Sequence, residues 1–263
     1  MGVVEEKYLK LTEIVLSHKR IAVAFSGGID STFLLSVAIE VLGADNVLAY
    51  NCLSVVNSTS SVKKMENVFK THFEESIALN QVQLYPLRWK EFVANNDKRC
   101  YFCKKRMYST LLDELRKEDC FVLADGTNVD DLKKSRAGLR AIRELNVQTP
   151  LVKAGLNKQE IRGLAQKKGL VNFDLASNSC LATRVAAGME ITDQRIEVVE
   201  KAEDCLHSLG FEGCRVKIDG DVAFIELTRS DFGIFVNDDV TLMVKHQFAR
   251  LGFKKVFLDL TDR

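Results

Sequence analysis

The sequence predicts an α/β protein: a mostly parallel sheet covered on both faces by helices, followed by a small α+β block. Three observations predict it. Apolar runs of strand type alternate with amphipathic runs of helix type up to about residue 168. The first strand enters a turn with two adjacent glycines, Gly27 and Gly28, and that turn feeds a helix directly. After about residue 185 the order becomes helix, strand, strand, helix, strand, a different topology that suits a second small layer. The expected boundary between the two domains lies between residues 178 and 179.

The elements follow in order. Residues 5–18 read as a leading amphipathic helix. Residues 21–25 are the first strand and 30–43 its helix, with Phe33, Leu34, Val37, Ala38, Val41 and Leu42 at helical spacing. Residues 47–51 are the second strand, and 59–73 a helix with Val62, Met65, Val68 and Phe69 on one face. A third strand is expected at 82–86. A polar stretch over 94–99 precedes Cys100, and 104–117 is helical, with Met107, Leu111, Leu112 and Leu115 at core spacing. Residues 120–124 form a buried strand ending at Asp125-Gly126-Thr127-Asn128. Helices are expected at 135–145 and at 158–168, the latter started by Asn157 as N-cap. A long helix covers 193–209. Strands at 214–218 and 222–227 join at Asp219-Gly220-Asp221, a hairpin signal. A last helix spans 230–251, and 255–260 is the closing strand.

Composition bounds the function. The 263 residues are 46% hydrophobic, ample for a core, and 37 Lys and Arg balance 36 Asp and Glu. A net charge of +1 supplies no strong field for nucleic acid or a membrane surface. No segment approaches a membrane-spanning length, and no secretory signal is expected at the start. Seven cysteines, an odd number, do not look like a disulfide framework, so reduced thiols in cytoplasm are expected.

The loop Ser26-Gly27-Gly28-Ile29-Asp30-Ser31-Thr32 carries the clearest chemistry. It receives the free backbone N–H groups and the positive dipole end of the helix that it starts, which suits an anion. Gly27 and Gly28 let the backbone approach a phosphate with no Cβ in the way. Ser26, Ser31 and Thr32 add hydroxyl donors. A carboxylate beside phosphates is repulsive unless a cation lies between them, so Asp30 reads as a Mg²⁺ ligand or an orienter of the loop. No Lys follows the glycines, which excludes the Walker A pattern, and the spacing is not that of a dinucleotide fingerprint.

Asp125-Gly126-Thr127-Asn128 ends another strand, where ligands gather in parallel sheets. Gly126 permits close approach, although an ordinary polar turn has the same composition. Residues 51–58 are a similar candidate for the adenine side. Cys180, in Ser179-Cys180-Leu181-Ala182-Thr183-Arg184, lies where the two blocks meet in the sequence, and junctions between domains are favoured sites. A basic neighbour such as Arg184 favours the thiolate, which is the nucleophile. A buried structural cysteine fits the same spacing.

Ser26 to Ser31 resembles the pyrophosphate loop of the ATP pyrophosphatase, or PP-loop, superfamily. Further strings lie in one order along most of the chain. They are Arg99-Cys100-Tyr101-Phe102-Cys103-Lys104, Asp125 to Asn128 with Asp130-Asp131, Arg136-Ala137-Gly138-Leu139, and Lys158-Gln159-Glu160-Ile161-Arg162. Cys180 to Arg184, and Ala202-Glu203 followed by Arg215-Val216-Lys217, complete the set. Together they resemble the LarE family of ATP-dependent sacrificial sulfur transferases. Two departures are Ala137 and Ala176, where that family usually carries proline.

The resemblance implies an adenine nucleotide alpha hydrolase-like (PP-loop) domain over residues 1–178 and an α+β sulfur-transfer domain over 179–263. It implies that ATP adenylates a carboxylate of a pyridinium mononucleotide and that Cys180 attacks the acyl-adenylate. β-Elimination then releases a thiocarboxylate and leaves dehydroalanine, in the pathway to the nickel-pincer cofactor of lactate racemase. ATP is expected at Ala24, Phe25, Ser26, Gly27, Gly28, Asp30, Ser31, Thr32, Lys104 and Gly126. The substrate phosphate is expected at Arg184, Arg215 and Lys217; the family usually carries arginine where Lys217 stands, and a lysine replaces the bidentate fork with a point charge. Glu203 is expected as the base or a metal ligand, its bland alternative being a solvated helix face.

Cys100 and Cys103 make half a zinc site, and His18, His72, His207 and His246 are too scattered to complete one. A [4Fe-4S] cluster held by Cys100, Cys103 and Cys180 is the other cofactor reading, against which the single cysteine in the Cys180 string favours the sacrificial route. A homo-oligomer is expected, with no membrane or nucleic-acid partner. The competing functions are a transfer-RNA thiolase, an amide-forming synthetase of the GMP synthetase type, and a nucleotide-binding protein without catalysis.

Overall fold

The computed structural model describes residues 2–118, 121–133, 137–175 and 179–261. Cys120, Arg136 and Ala176, named above, lie outside the described residues. In chain order the elements are α1 (Val3–Ser17), β1 (Ile21–Ala24), α2 (Ile29–Leu42), β2 (Val47–Leu53), α3 (Thr59–His72), β3 (Leu79–Gln83), α4 (Lys90–Val93), α5 (Arg99–Leu115), β4 (Val122–Asp125), α6 (Val129–Lys133) and α7 (Ala137–Glu144). There follow α8 (Pro150–Ala154), α9 (Lys158–Lys167), α10 (Asp193–Ser208), β5 (Arg215–Asp219), β6 (Val222–Glu226), α11 (Phe232–Phe235), α12 (Asp238–Arg250) and β7 (Lys255–Asp259).

The chain divides into two compact units. The first comprises Met1–Ser54, Thr59–Leu84 and Lys98–Asn178. Its sheet has the order β3-β2-β1-β4, with every pairing parallel. β1 is central, so both of its faces are covered and it reads as a continuous apolar run. Alternation divides its side chains. Ile21 and Val23 join a core with Leu11 of α1, Phe33 and Leu34 of α2, Phe69 of α3 and Ile161 of α9. Ala22 joins a second core with Tyr108 and Leu111 of α5, Leu123 of β4 and Ile142 of α7. The two cores therefore lie on opposite faces of the sheet. Chain order β1 then β2 moves to one side of β1, and β4 lies on its other side. That reversal puts a topological switch point beside the carboxyl end of β1, where open α/β sheets bind ligands.

The second unit comprises Val55–Ser58, Tyr85–Asp97 and Ser179–Arg263. Its sheet has the order β5-β6-β7. β5 and β6 are antiparallel around Gly220, whose φ of 59° suits the tight hairpin. β6 and β7 are parallel, connected through α11 and α12. Val216, Ile218, Ala223 and Ile225 form the buried face, and α10 supplies Ile196, Val199, Ala202 and Leu206 to the same core.

Three elements depart from the sequence expectation. The third strand is Leu79–Gln83, not 82–86, because Pro86 opens a 3₁₀ turn over Pro86–Arg88. The helix expected at 104–117 begins at Arg99 and ends at Leu115. The helix expected over 230–251 is broken after Phe235, and Asn237 caps the next segment by accepting a hydrogen bond from the Asp239 N–H.

Candidate active site

In the first unit, the residues from Ser26 to Gly28 carry β1 into α2. Gly27 has φ of 74°, and a Cβ there would lie 2.7 Å from Met65 Cα, so both the conformation and the space require glycine. Gly28 stands at the N-cap of α2 and supplies no side-chain cap to that helix. Hydroxyls set the shape of the turn. Ser31 Oγ donates to the Gly28 carbonyl at 3.0 Å and accepts from the Ser26 N–H at 3.1 Å. Ser26 and Gly28 remain exposed, so a ligand can meet them.

Thr32 departs from its expected role. Its side chain is buried; the hydroxyl donates to the Gly28 carbonyl and accepts from Asn172 Nδ2, both at 3.0 Å. It braces the loop from behind and presents no hydroxyl to a phosphate. Phe25 likewise turns its ring into the core, against Phe69 and Phe73 at 5.5 and 6.0 Å, and leaves only backbone to the loop. Two asparagines that sequence reasoning missed as supports hold the loop. Asn172, 1% exposed, also donates to the Gly27 carbonyl at 2.9 Å, and Asn51 donates to the Phe25 carbonyl at 2.7 Å.

Asp30 forms an ion pair with Lys158 through Oδ2. Its Oδ1 is buried with no hydrogen-bond partner. Burial pushes the Asp30 carboxyl above its ordinary range, against the pull of Lys158. A buried carboxylate oxygen with no donor on it suits a hard cation. Lys158 is itself placed by the first turn of α9, where Asn157 and Glu160 form a capping box and Asp130 Oδ2 accepts from the Lys158 N–H at 2.9 Å.

The second loop meets the first. A Cβ on Gly126 would lie 2.7 Å from the Ser31 nitrogen and 2.9 Å from the Asp30 carbonyl carbon. Gly126 therefore packs its backbone against the first turn of α2, at the switch point. Asp125 fixes this loop from within: its carboxylate accepts from Tyr108 Oη at 2.5 Å, from the Thr127 N–H at 3.0 Å and from Thr127 Oγ1 at 2.9 Å. Lys104 reaches toward it from α5, with Nζ 3.8 Å from Asp125 Oδ2, and its stem passes over Gly138. Gly126→Ala is expected to cost about 1–3 kcal/mol of stability, because the obstructing atoms are backbone. Chemical denaturation checks it; an unchanged midpoint would contradict the close approach.

In the second unit, Cys180 opens the 3₁₀ turn Leu181–Arg184. Its carbonyl accepts from the Thr183 N–H at 3.0 Å, Thr183 Oγ1 at 2.8 Å and Arg184 Nη1 at 3.1 Å. The next peptide N–H, on Leu181, donates to the Val56 carbonyl at 2.8 Å. Arg184 Nη1 also reaches the Ser179 carbonyl and hydroxyl at 2.8 and 2.6 Å. Arg184 was expected at a substrate phosphate; the structure turns it inward. Its Nε donates to Glu203 Oε1 at 2.8 Å, and the two side chains are 3% and 7% exposed. Glu203 is neither on a solvated helix face nor open to a metal: Oε1 also accepts from the Val216 N–H at 3.1 Å, and Oε2 lies 3.4 Å from Arg184 Nη2. Both oxygens are committed to Arg184 and β5.

Arg215 and Lys217 alternate with the buried Val216, so they share the outer face of β5, where Lys217 is bridged to Glu226. Asn95, which sequence reading left in a polar stretch, is buried with φ of 50° and donates through Nδ2 to the carbonyls of Ala186 and Met189 at 2.8 and 2.9 Å. A buried asparagine in a polar run leaves no periodic signal by which to find it.

The six described cysteines form no disulfide. Cys100 is exposed and Cys103 half-buried on α5. Among the described residues no three Cys, His, Asp or Glu side chains gather to hold a metal. Burial pushes the Cys52 thiol up to about 12, which leaves it inert as a nucleophile at neutral pH. No helix among the described residues is long and apolar enough to cross a membrane.

No family model matches the chain. Among curated proteins it is 34% identical over 263 residues to the pyridinium-3,5-bisthiocarboxylic acid mononucleotide synthase of Lactiplantibacillus plantarum, covering 99% of this chain and 92% of that enzyme. An uncharacterized protein of Synechocystis is 32% identical over 256 residues, 97% of this chain and 94% of its own. The GMP synthase of Thermotoga maritima, a PP-loop enzyme, is 23% identical over 219 residues, 76% of this chain and 42% of that enzyme. Taken with the parallel sheet and its glycine loop, these relationships establish that the chain belongs to the LarE family of ATP-dependent sulfur transferases, built on a PP-loop α/β fold.

Proposed function

We propose that the protein uses ATP to activate a carboxylate of a pyridinium mononucleotide and then gives it the sulfur of Cys180, in the assembly of the nickel-pincer cofactor of lactate racemase. The substrate carboxylate attacks the α-phosphorus of ATP and pyrophosphate leaves. AMP is then a good leaving group where a bare carboxylate oxygen is not, so the thiolate of Cys180 forms a thioester and expels AMP. Loss of the Cys180 α-proton and cleavage of its Cβ–S bond release the thiocarboxylate and leave dehydroalanine. One chain then delivers one sulfur.

The observation that carries this reading is the relationship to the L. plantarum synthase along 99% of the chain, a span that includes both the glycine loop and Cys180. The geometry is in keeping with it. Residues 1–178 would form the ATP pyrophosphatase domain, where Ala24, Phe25, Ser26, Gly27, Gly28, Asp30 and Ser31 surround the phosphates, mostly through backbone, with Gly126 and Lys104 closing the second side. The buried Oδ1 of Asp30 fits a magnesium ion, which would offset phosphate charge there. Residues 179–263 would carry sulfur transfer, with Arg215 and Lys217 holding the substrate phosphate from one face of β5. The chemistry needs a reduced thiol and so belongs in cytoplasm.

Intact-protein mass spectrometry tests the reading. After incubation with ATP, magnesium and pyridinium-3,5-biscarboxylic acid mononucleotide, the protein is expected to lose the mass of H₂S, and peptide mapping is expected to place the loss at Cys180. Unchanged protein mass with continued formation of thiocarboxylate would sink it.

A further inference from the structure

The thiol of Cys180 is the reacting group in the reading above, and the carbonyl oxygen of the same residue is itself tightly held. Three donors converge on it: the Thr183 N–H at 3.0 Å, the Thr183 hydroxyl at 2.8 Å and the Arg184 guanidinium at 3.1 Å. A single donor, the Thr183 N–H, would suffice to cap the 3₁₀ turn. Arg184 is buried, so its charge acts with little screening by water. The far side of the same peptide unit is also tied, through the Leu181 N–H to the Val56 carbonyl at 2.8 Å. Leu181 and Ala182 are themselves buried, which anchors the turn.

We propose that this cage is an oxyanion hole for the Cys180 enolate, built to drive β-elimination. The inference rests on the sacrificial reading and deepens it. Once the thioester has formed, solvent takes the proton from Cys180 Cα. The electron pair of that C–H bond passes toward the adjacent carbonyl, and the oxygen becomes an enolate. The pair then returns to form the Cα=Cβ double bond. The Cβ–S bond breaks, and sulfur leaves with its bonding electrons as the thiocarboxylate of the substrate. No oxidant or reductant is consumed. The α-proton of an ordinary peptide residue is very weakly acidic, so the enolate is the costly species on this path. Donors already fixed around the oxygen before charge develops stabilise it with no reorganisation, and one such donor is worth about 10²–10³-fold in rate. The clamp on Leu181 holds the peptide plane, which keeps the developing pair in overlap with the carbonyl.

Thr183 is the residue on which to test this, because Arg184 also supports the fold. Thr183→Val removes the hydroxyl donor and keeps the backbone donor and the side-chain volume. Time-resolved intact-protein mass spectrometry with ATP, magnesium and pyridinium-3,5-biscarboxylic acid mononucleotide distinguishes the species. The wild-type protein is expected to pass to the dehydroalanine mass. Thr183→Val is expected to accumulate the protein–substrate thioester and to form dehydroalanine about 100-fold more slowly. Thr183→Ser, which restores the hydroxyl, is expected to recover most of the rate. Dehydroalanine formation by Thr183→Val at the wild-type rate would overturn the proposal, and so would loss of the thioester itself, which would assign Thr183 to the earlier step. Failure of the wild-type protein to lose sulfur would instead overturn the sacrificial reading.

Discussion

Replacing Cys180 by serine is expected to end sulfur transfer altogether while leaving release of pyrophosphate from ATP in place. The two outcomes separate because they draw on different atoms. The glycine loop, Gly126 and Lys104 belong to the first unit, and the substitution alters none of them. On the proposed mechanism the carboxylate is still activated. A serine hydroxyl is a far weaker nucleophile than a thiolate near neutral pH, so the acyl-adenylate persists or hydrolyses. Where the serine does react, it forms an oxygen ester, and elimination from that ester only returns the carboxylate. No route delivers sulfur. The measurement pairs a pyrophosphate assay with product mass spectrometry on Cys180→Ser. Thiocarboxylate at the wild-type rate would show that the sulfur comes from elsewhere. Loss of pyrophosphate release as well would show that Cys180 contributes to activation, against the division of labour described here.

Much of the first unit was legible because it follows from simple periodicity. A continuous apolar run at 21–24 could only be a strand covered on both faces, and two glycines before an amphipathic helix could only be a turn at its N-terminus. Asn157 was legible as the N-cap of α9, which the structure bears out, while its reciprocal bond with Glu160 emerged only in the folded chain. The Asp219-Gly220-Asp221 hairpin was equally plain. What escaped was whatever depends on long-range pairing. β3 has no fully buried position and only Leu79 and Val82 as apolar residues, so nothing local marks its ends. Asn51, Asn95 and Asn172 look like ordinary polar residues until the carbonyls they serve, as many as 145 positions away, come to them. Arg184 carried a double error of the same kind. In a list of basic residues it reads as a phosphate ligand, whereas its partner Glu203 lies 19 positions later, one buried face of α10 away. Charge is visible in a sequence, but burial of a charge is not.

Glu203 gives the second large effect, and its sign decides what the residue does. A metal ligand or a free base is held at some cost to stability, and removing such a group commonly stabilises the fold while ending activity. A buried partner of Arg184 behaves in the opposite way. Glu203→Ala strands a guanidinium that is 3% exposed and leaves the Val216 N–H without its carboxylate acceptor. Breaking one side of a buried pair costs about 3–5 kcal/mol, so the second unit is expected to unfold roughly 12–20 °C lower on heating. Calorimetry on Glu203→Ala checks it, and an unchanged or raised midpoint would return the residue to catalysis. The double substitution Arg184→Met with Glu203→Leu extends the test, since replacing both members of a buried pair by apolar side chains is often neutral or stabilising. It is expected to restore the midpoint. It also removes the guanidinium from the Cys180 carbonyl, so the refolded variant should still form the thioester but release sulfur slowly. Recovery of stability without recovery of elimination would separate the two tasks of Arg184, one end held by Glu203 for the fold and the other aimed at the peptide of Cys180 for the chemistry.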